Sequence, residues 1–400
     1  MDLITVDKAS TLVNNSIEDF GLEEVNYMEA LGRVLKEDIT ADRNFPPFNR
    51  VSMDGIAIDF NSFISGRRSF EICGIQAAGS MQKKLEDLTG CFEVMTGAVL
   101  PKNTNVVIPY ELVTIENGLA STEIEEVKKL QNVHLEGLDR NKADILIRKN
   151  TRIGAGEIGV LATVGKVRVK VAKQPKVMVI STGNELVSVD KVPLDHQIRR
   201  SNVHTLVALV SKFGIKAQTS HIEDNKEVLK QKIEEYLNHF DVLLFSGAVS
   251  KGKFDFIPEV LNDLGVKKLF HRVKQRPGKP FWFGKRGRNT IFAFPGNPVS
   301  TFVSCIKYFY PWYEKSMGLK QPERKMAILD EDFSFSPSLT YFLQVKLQQK
   351  GGKLYAVPVA GKGSGDLANL VDSDGFLELP DDRSTFTKGA VYPVLNYRGL

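Results

Sequence analysis

Cysteine is scarce in this chain of 400 residues, and the few cysteines lie far apart. Cys73, Cys91 and Cys305 are an odd number at wide spacing. This pattern excludes a disulfide framework and fits no CxxC metal site. We therefore expect a protein of a reducing, cytoplasmic environment.

Histidine patterns and long apolar runs are also missing. The six histidines show no HxxxH or HxH spacing, so a histidine-ligated zinc site is not predicted. No run reaches the roughly 18 apolar residues that a membrane span needs. The N-terminus MDLITVDKASTL lacks the basic and apolar regions of a signal peptide. Walker A and nucleophile-elbow motifs do not occur either. We expect no membrane association.

The chain has no strong excess of charge of one sign. The 53 Lys and Arg residues against 48 Asp and Glu residues give a net charge of +5. Nucleic-acid-binding proteins usually carry a clustered basic surface, so nucleic acid is not an expected partner. With 42% hydrophobic and 25% charged residues, the composition is that of a globular protein. Small anions are the more plausible ligands.

The first half of the chain predicts two structural regions. Apolar residues at helical spacing predict a helix from Val6 to Ile17, with Asp7 and Ser10 as capping candidates, and a second helix over residues 30–45. Short β-prone runs then indicate a small β domain. The helix candidate at 156–162 suggests that the chain returns to its first region. We therefore predict two domains with these bounds: an N-terminal mixed domain of residues 1–45 and 141–175, and an inserted β domain of residues 46–140.

The second half predicts an α/β domain followed by a β domain. Strands alternate with helices over residues 176–320, which is typical of a doubly wound, mostly parallel sheet with an apolar core of its own. Residues 321–400 contain β-prone runs separated by Gly, Ser and Asp clusters, which predict a barrel or a sandwich. The expected fold class is α/β plus β, in an elongated protomer of several domains.

Three of the predicted α/β strands end in glycine turns. Ligands of open α/β sheets bind at the carboxyl ends of strands, and glycine lets the backbone come close to an oxyanion. One such turn is usually only a turn, but three in register predict a single crevice for a phosphorylated ligand. The candidate binding residues are Thr182, Gly183, Ser246, Gly247, Ser250, Gly252, Pro295, Gly296, Asn297 and Pro298.

Three carboxylates follow the same strands. Glu185, Asp224 and Asp255 are candidate ligands of a hard cation such as Mg²⁺, because carboxylates beside a phosphate otherwise repel it. An alternative is that Asp224 and Asp255 only cap the helices that follow them.

A cationic turn precedes the last predicted strand of the α/β domain. Lys274, Arg276 and Lys279 surround the Pro277-Gly278 turn. We favour anion binding for these side chains. The alternative is a solvated hairpin edge whose charges prevent strand pairing.

Short motifs occur in one order along nearly the whole chain. Residues 44–55 read NFPPFNRVSMDG, which resembles the PPFxxSxMDGYA signature of the MoeA and gephyrin E-domain family, and TGAVLP at 96–101 resembles its TGAxLP. Further segments are similar to the remaining motifs of that family: STGNEL at 181–186, SN at 201–202, SGAVSKGKFD at 246–255, PGKP at 277–280, PGNPVS at 295–300, GSG at 363–365, and DG and LP at 374–375 and 379–380.

The resemblance implies a function, molybdopterin molybdenumtransferase. In such proteins adenylylated molybdopterin binds in the α/β crevice, a divalent cation assists, and molybdate insertion releases AMP. The resemblance also implies a homodimer, with a molybdopterin adenylyltransferase and acceptor molybdoenzymes as further partners. Carried over by motif, the catalytic residues are Asp54, Thr96, Asp144, Asp255 and Lys279, and Ser364 joins the cofactor-binding residues. In the dimer, Asp54, Thr96 and Asp144 are expected to serve the crevice of the partner.

Two other functions stay open at this point. Related α/β domains suggest a pterin-nucleotide hydrolase or adenylyltransferase. Gephyrin suggests a dimeric scaffold without enzymatic activity.

Overall fold

The computed structural model describes residues 3–247, 249, 255–359, 361 and 363–398. The chain divides into two compact units. The larger unit contains residues 1–37, 150–155 and 168–400, and the smaller unit contains residues 38–149 and 156–167. None of the described helices is long and apolar enough to cross a membrane.

A six-stranded sheet forms the centre of the larger unit. In spatial order its strands are Gln218–Ile222, Val177–Thr182, Val242–Ser246, Asn289–Phe294, Trp282–Arg286 and Lys267–His271. All run in one direction except Trp282–Arg286, which is antiparallel to both of its neighbours. The mostly parallel sheet predicted from the strand–helix alternation is therefore confirmed. The strands are β1 (Val177–Thr182), β2 (Gln218–Ile222), β3 (Val242–Ser246), β4 (Lys267–His271), β5 (Trp282–Arg286) and β6 (Asn289–Phe294).

Helices cover both faces of this sheet, because alternate strand residues point to opposite faces. On one face Val179 and Leu244 pack against the helices at 6–14, 202–211, 298–304 and 310–316. On the other face Ile180 and Phe245 pack against the helices at 226–239 and 257–263. The sheet is thus doubly wound. The helices are α1 (Val6–Asn14), α2 (Asn202–Ser211), α3 (Lys226–His239), α4 (Ile257–Asp263), α5 (Pro298–Ser304) and α6 (Tyr310–Ser316), with a π-helical turn at Cys305–Phe309.

The core on the first face extends beyond residues 176–320. It includes Val6 from α1 and Phe342 and Phe376 from the C-terminal strands. The indole N–H of Trp312 donates to the carbonyl oxygen of Ser16 at 2.9 Å. The core on this face is therefore shared with other segments, whereas the core on the opposite face contains only residues between 178 and 293, as the expectation of a separate core for residues 176–320 requires.

The C-terminal strands form a closed barrel. Their spatial order is Thr340–Lys350, Lys353–Pro358, Met326–Leu329, Val391–Asn396 and Gly375–Leu379, and the last of these pairs with the first. Leu343, Leu377 and Phe386 belong to its interior. This confirms the expected β-barrel. The strands are β7 (Met326–Leu329), β8 (Thr340–Lys350), β9 (Lys353–Pro358), β10 (Gly375–Leu379) and β11 (Val391–Asn396).

The N-terminal region departs from the prediction in two ways. Thr5, not Asp7 or Ser10, caps α1, because its hydroxyl oxygen accepts the N–H of Lys8 at 3.2 Å. The predicted helix over residues 30–45 is also wrong. Leu35 N–H donates to Thr151 at 2.9 Å and Lys36 N–H to Lys170 at 2.8 Å. These long-range pairings outweigh local helix propensity, which is a weak determinant.

The smaller unit contains a six-stranded mixed sheet, as its short β-prone runs predict. Ile56, Phe70 and Val106 lie in its core. In spatial order its strands are Val106–Pro109, Gly55–Ile58, Gly90–Val94, Ser69–Gln76, Leu119–Ser121 and Thr114–Glu116, and its helices are Phe60–Ile64, Tyr110–Leu112 (3-10) and Ala155–Thr163.

Short elements complete the two units. The paired strands are Leu22–Asn26 with Arg168–Ala172, Ile39–Thr40 with Ile145–Ile147, Arg50–Val51 with Val133–His134, Leu186–Val187 with Ile198–Arg199, and Phe333–Ser334 with Thr385–Phe386. Gln275–Arg276 pairs with the start of β8, and short helices lie at Tyr27–Ala30 (3-10) and Asn369–Asp372.

Candidate active site

A cleft of about 470 Å³ lies at the carboxyl ends of β1, β3 and β6. This is the edge at which open α/β sheets bind their ligands. Most of the residues predicted from the glycine turns and acids line it: Thr182, Gly183, Glu185, Asp224, Ser246, Gly247, Asp255, Pro295, Gly296, Asn297 and Pro298. The predicted residues Ser250 and Gly252 lie outside the described part of the chain.

The three glycine loops come together at the floor of this cleft. Gly247 has φ +104, and a Cβ there would lie 3.3 Å from the carbonyl oxygen of Thr182. A Cβ on Gly296 would lie 3.7 Å from the Cα of Gly247. Gly247 is therefore required by its backbone conformation and by the short distance to Thr182. A larger side chain at Gly247 or Gly296 would force the loops apart.

Asn202, at the start of α2, ties two of these loops together. Its amide nitrogen donates to Ser246 Oγ at 2.9 Å and to the carbonyl oxygen of Gly296 at 2.6 Å. Because a carbonyl only accepts, the amide nitrogen must face Gly296, and this fixes the opposite position of Oδ1. Asn202 belongs to the SN motif, but the motif alone does not place it in the site.

Two buried oxygens of the cleft residues make no hydrogen bond in the described structure. They are Oδ1 of Asn202 and Oγ1 of Thr182. Buried polar atoms without partners are uncommon and costly in folded proteins. These two atoms therefore indicate a place where a polar ligand completes the hydrogen bonding.

The three predicted carboxylates line the same cleft. Partial burial raises the pKa of Asp224, and the like charges of Glu185 and Asp255 raise it further. Gly183 has φ +137, and a Cβ there would lie 2.5 Å from the Glu185 carboxylate. Glycine is needed at 183 so that this carboxylate can lie over the loop.

The helix-cap alternative for these acids can be tested against the helix starts. Asn225 caps α3, since its side-chain oxygen accepts the N–H of Val228 at 3.1 Å. The cap interpretation of Asp224 is therefore wrong. Phe256, rather than Asp255, occupies the N-cap position of α4.

The acids do not form a complete metal-ligand set. Within the part of the chain that the structure describes, no three His, Cys, Asp or Glu side chains are grouped closely enough to hold a metal ion. Mg²⁺, however, usually takes only one or two protein carboxylates together with water and ligand phosphates. Acids that repel one another beside a phosphate cleft fit that kind of shared site.

The basic side chains of the cleft, and a histidine that contacts the cleft residue Ser181, were not expected from the sequence. Arg199 and Arg200 line one wall. His221 Nδ1 lies 3.0 Å from Ser181 Oγ, and its pKa is lowered by burial and then by the charge of Arg200. No motif marks these residues, because Arg199 and Arg200 reach the cleft only through the folding of the two-stranded segment at 186–199, and His221 meets Ser181 only through the pairing of β2 with β1.

The predicted cations at 274, 276 and 279 are not brought together. Lys274 pairs with Asp381 on the barrel side at 2.8 Å. Lys279 is exposed and lines neither the main cleft nor the smaller cleft that Arg276 lines. Arg276 lines a second cleft of about 320 Å³ together with Ser364. The Ser364 hydroxyl accepts the amide N–H of Asn297 at 2.7 Å, which joins the GSG segment to the PGNP loop.

The remaining candidates lie in the smaller unit. Asp54 Oδ1 accepts the backbone N–H and the hydroxyl of Thr96, each at 2.6 Å. Both hydrogen bonds lower the pKa of Asp54, and the bond from the hydroxyl has the larger effect. Asp144 accepts the N–H of Asn141 at 2.8 Å and closes the turn between them.

A doubly wound sheet with a polar cleft at its carboxyl edge, followed in the chain by a closed β-barrel, defines an α/β protein with a cleft suited to a polar ligand. Three family models match nearly the whole chain: the MoeA N-terminal region (domains I and II) at residues 4–165, a probable molybdopterin binding domain at 178–315, and the MoeA C-terminal region (domain IV) at 326–397. The chain belongs to the MoeA family.

Individual relatives agree with this assignment. A molybdopterin molybdenumtransferase of Synechocystis is 38% identical over 98% of this chain and 99% of its own length. One of Staphylococcus epidermidis is 32% identical over 93% and 90%. A crystal structure of a molybdopterin biosynthesis MoeA protein from Pyrococcus horikoshii has a TM-score of 0.85 at 30% identity and covers 100% of both chains; a second has 0.84 at 27%.

Proposed function

We propose that this protein is a molybdopterin molybdenumtransferase, which inserts molybdate into adenylylated molybdopterin and releases AMP. Relatives that bear this name match the chain over almost its full length. The observation that carries the proposal is the cleft itself. Three glycine loops and three carboxylates meet there around two buried oxygens without hydrogen-bond partners.

The chain's own residues hold and orient the ligand in this proposal. The glycine turns at 183, 247 and 296 let the backbone come close to phosphate oxygens. Thr182 and Asn202 offer hydrogen-bonding oxygens to the polar groups of the ligand. Holding two reactants in position converts a bimolecular step into an effectively unimolecular one, which is a large part of the catalysis expected here.

Glu185, Asp224 and Asp255 are the proposed Mg²⁺ ligands, with Asp255 and Lys279 as catalytic residues. When bound, Mg²⁺ would neutralise phosphate charge near the incoming molybdate. Two unit charges 4 Å apart repel by about 4 kcal/mol at an effective dielectric constant of 20, so the carboxylates need a cation beside the phosphate. Lys274, Arg276 and Ser364 are proposed to bind the oxyanion groups of the cofactor.

Asp54, Thr96 and Asp144 are the proposed catalytic residues of the smaller unit. We infer that the protein is a homodimer and that these residues act in the cleft of the partner subunit. A molybdopterin adenylyltransferase would supply the substrate, and acceptor molybdoenzymes would receive the product. This part of the proposal rests on the family resemblance of the motifs.

The test is the release of AMP from purified adenylylated molybdopterin by the full-length protein. Release that requires both molybdate and Mg²⁺ is the expected result. Release without molybdate would instead indicate a pterin-nucleotide hydrolase. Absence of any binding of the pterin nucleotide would contradict the enzyme and favour a scaffold.

A further inference from the structure

Arg200 carries a positive charge into the wall of the main cleft. The residue is half-buried and follows the short strand Ile198–Arg199. Its backbone N–H donates to the carbonyl oxygen of Val187 at 3.0 Å, which holds the main chain in place. Its guanidinium makes no hydrogen bond or ion pair with any residue that the structure describes. A partly buried arginine in this state has five N–H donors available to a ligand.

Arg199 provides a direct comparison. It has the same charge, lines the same cleft and is the adjacent residue in the chain. However, Arg199 is exposed, and its Nε donates to the carbonyl oxygen of Lys191 at 3.0 Å. The two arginines are the only cationic side chains among the described residues that line the cleft. Of these two, only Arg200 presents a guanidinium without a partner.

The surroundings of Arg200 indicate which ligand group it meets. His221 interacts electrostatically with Arg200 and also with Asp224 and Glu185. Arg200, Asp224 and Glu185 also line the same cleft. A phosphate shared between Mg²⁺ and an arginine is a common arrangement for a nucleotide.

We infer that Arg200 binds the phosphate of the nucleotide part of the substrate and of the AMP product. The inference rests on the proposed function, because it assumes an adenylylated ligand. Molybdate is also a tetrahedral oxyanion, and the same guanidinium could bind it. We assign the nucleotide phosphate, because the carboxylates that line the same cleft suit a Mg²⁺–phosphate group.

The experiment is equilibrium binding to the full-length protein in the presence of Mg²⁺, by titration calorimetry with AMP, adenosine and molybdate in turn. The variants are Arg200→Gln, Arg200→Lys and the matched control Arg199→Gln. Arg200→Gln should weaken AMP binding roughly 10- to 100-fold, the scale of losing hydrogen bonds to a charged group. It should leave adenosine and molybdate binding unchanged. Arg200→Lys should lose less, because it keeps the charge without the planar fork.

Each other result counts against the inference. Wild-type affinity of Arg200→Gln for AMP would remove Arg200 from phosphate binding and leave the proposed function intact. A loss of affinity for molybdate alone would show that Arg200 binds molybdate and not the nucleotide phosphate. An equal loss in Arg199→Gln would mean that the general positive field, not a specific contact, attracts the nucleotide. Failure of the wild-type protein to bind AMP would overturn both this inference and the proposed function.

Discussion

At the scale of single residues, backbone conformation, space and hydrogen bonding limit which side chains the positions of the cleft can carry. Gly247 combines φ +104 with the nearby carbonyl of Thr182, so a side chain there is excluded by conformation and by space. Asn202 must place its amide nitrogen toward Gly296, which leaves Oδ1 without a partner. Such constraints depend on distant backbone positions. The sequence therefore identifies the glycine turns but not which of their neighbours complete the site.

Asp255→Asn separates a positioning role from a cation-linked role of this carboxylate. The substitution keeps the shape and removes the charge. We expect an unchanged fold, a weaker dependence on Mg²⁺ and a molybdate-triggered AMP release slower by roughly 10²-fold, the scale of losing one element of a preorganised electrostatic site. The measurement is AMP release against Mg²⁺ concentration. Asp263→Asn, at the end of the helix that follows Asp255 and outside the cleft, is the control. Equal rates for wild type and Asp255→Asn would exclude the proposed role.

The Asp54–Thr96 pair predicts a pH-dependent contribution to stability. The pKa of Asp54 is lowered from 3.8. A carboxyl group with a lowered folded-state pKa stabilises the protein above its unfolded-state pKa, and this contribution is lost as the pH falls through the folded-state value. Thr96→Val should raise the pKa of Asp54, measured by NMR titration of its carboxyl carbon. Its stability deficit should be present at pH 6 and shrink below about pH 4.

The control for that series is Thr104→Val. The Thr104 hydroxyl donates to the carbonyl oxygen of Pro101 at 2.8 Å, so no carboxylate is involved. Its stability deficit should not change over the same range of pH. A deficit of Thr96→Val that is equally independent of pH would contradict the assigned hydrogen bond.

At the scale of elements, the last helical segment of residues 176–320 is interrupted. A π-helical turn at Cys305–Phe309 separates α5 from α6, and Pro311 follows in the first turn of α6. Proline lacks an N–H and crowds the carbonyl four residues earlier, here that of Lys307. The wider π turn accommodates this conflict. Apolar periodicity indicates that this segment is helical. It does not show where the π turn, which is wider than an α-helical turn, interrupts the helix.

The π turn also places Lys307 against the barrel. Lys307 Nζ donates to both carboxylate oxygens of Glu378 on β10, at 2.8 and 2.7 Å, and both side chains are about nine-tenths buried. Removing one partner of a buried pair should cost about 3 kcal/mol of unfolding free energy, whereas replacing both by apolar residues should be nearly neutral. Lys307→Met and Glu378→Met should therefore each destabilise, and the double variant should recover most of the loss. Urea unfolding measures this.

Lys350→Met is the exposed counterpart in this comparison. Lys350 pairs with Asp330 at 3.0 Å, but its side chain is 53% exposed. Its removal should cost less than about 1 kcal/mol. Additive losses in the double variant at 307 and 378 would show that the buried pair has no mutual dependence.

Across the elements, prediction succeeded where the pattern is local and failed where partners are remote. The α/β strands and the barrel were identified by their apolar periods and turns. Residues 33–36 were assigned to a helix because their pairing with residues 151 and 170 is invisible in a short window. The cations at 274, 276 and 279 were expected together, but strand pairing of Gln275–Arg276 with β8 directs them to different surroundings. Arg200 has no motif at all.

At the scale of the whole molecule, the larger unit depends on both ends of the chain. α1 and the C-terminal strands contribute to the same apolar core as β1, β3 and β6. The cleft at the carboxyl edge is therefore supported by residues that are distant from it in sequence.

Subunit complementation tests the proposed homodimer and its shared sites. Asp54→Asn changes the smaller unit, and Asp255→Asn changes the cleft of the larger unit. If the residues near Asp54 act in the partner's cleft, a mixed dimer contains one site with both changes and one site with neither. A two-fold symmetric dimer reassembled from equal amounts should then regain about a quarter of the wild-type AMP release, because half of the dimers are mixed and each keeps one intact site.

The two single variants, treated identically but not mixed, give the baseline for this measurement. Light scattering of each variant must first show the mass of a dimer. A strictly monomeric protein with normal turnover would exclude the shared site. Dimers that exchange subunits without regaining activity would mean that Asp54 and Asp255 serve the same protomer, since a mixed dimer would then contain one defect in each of its two sites.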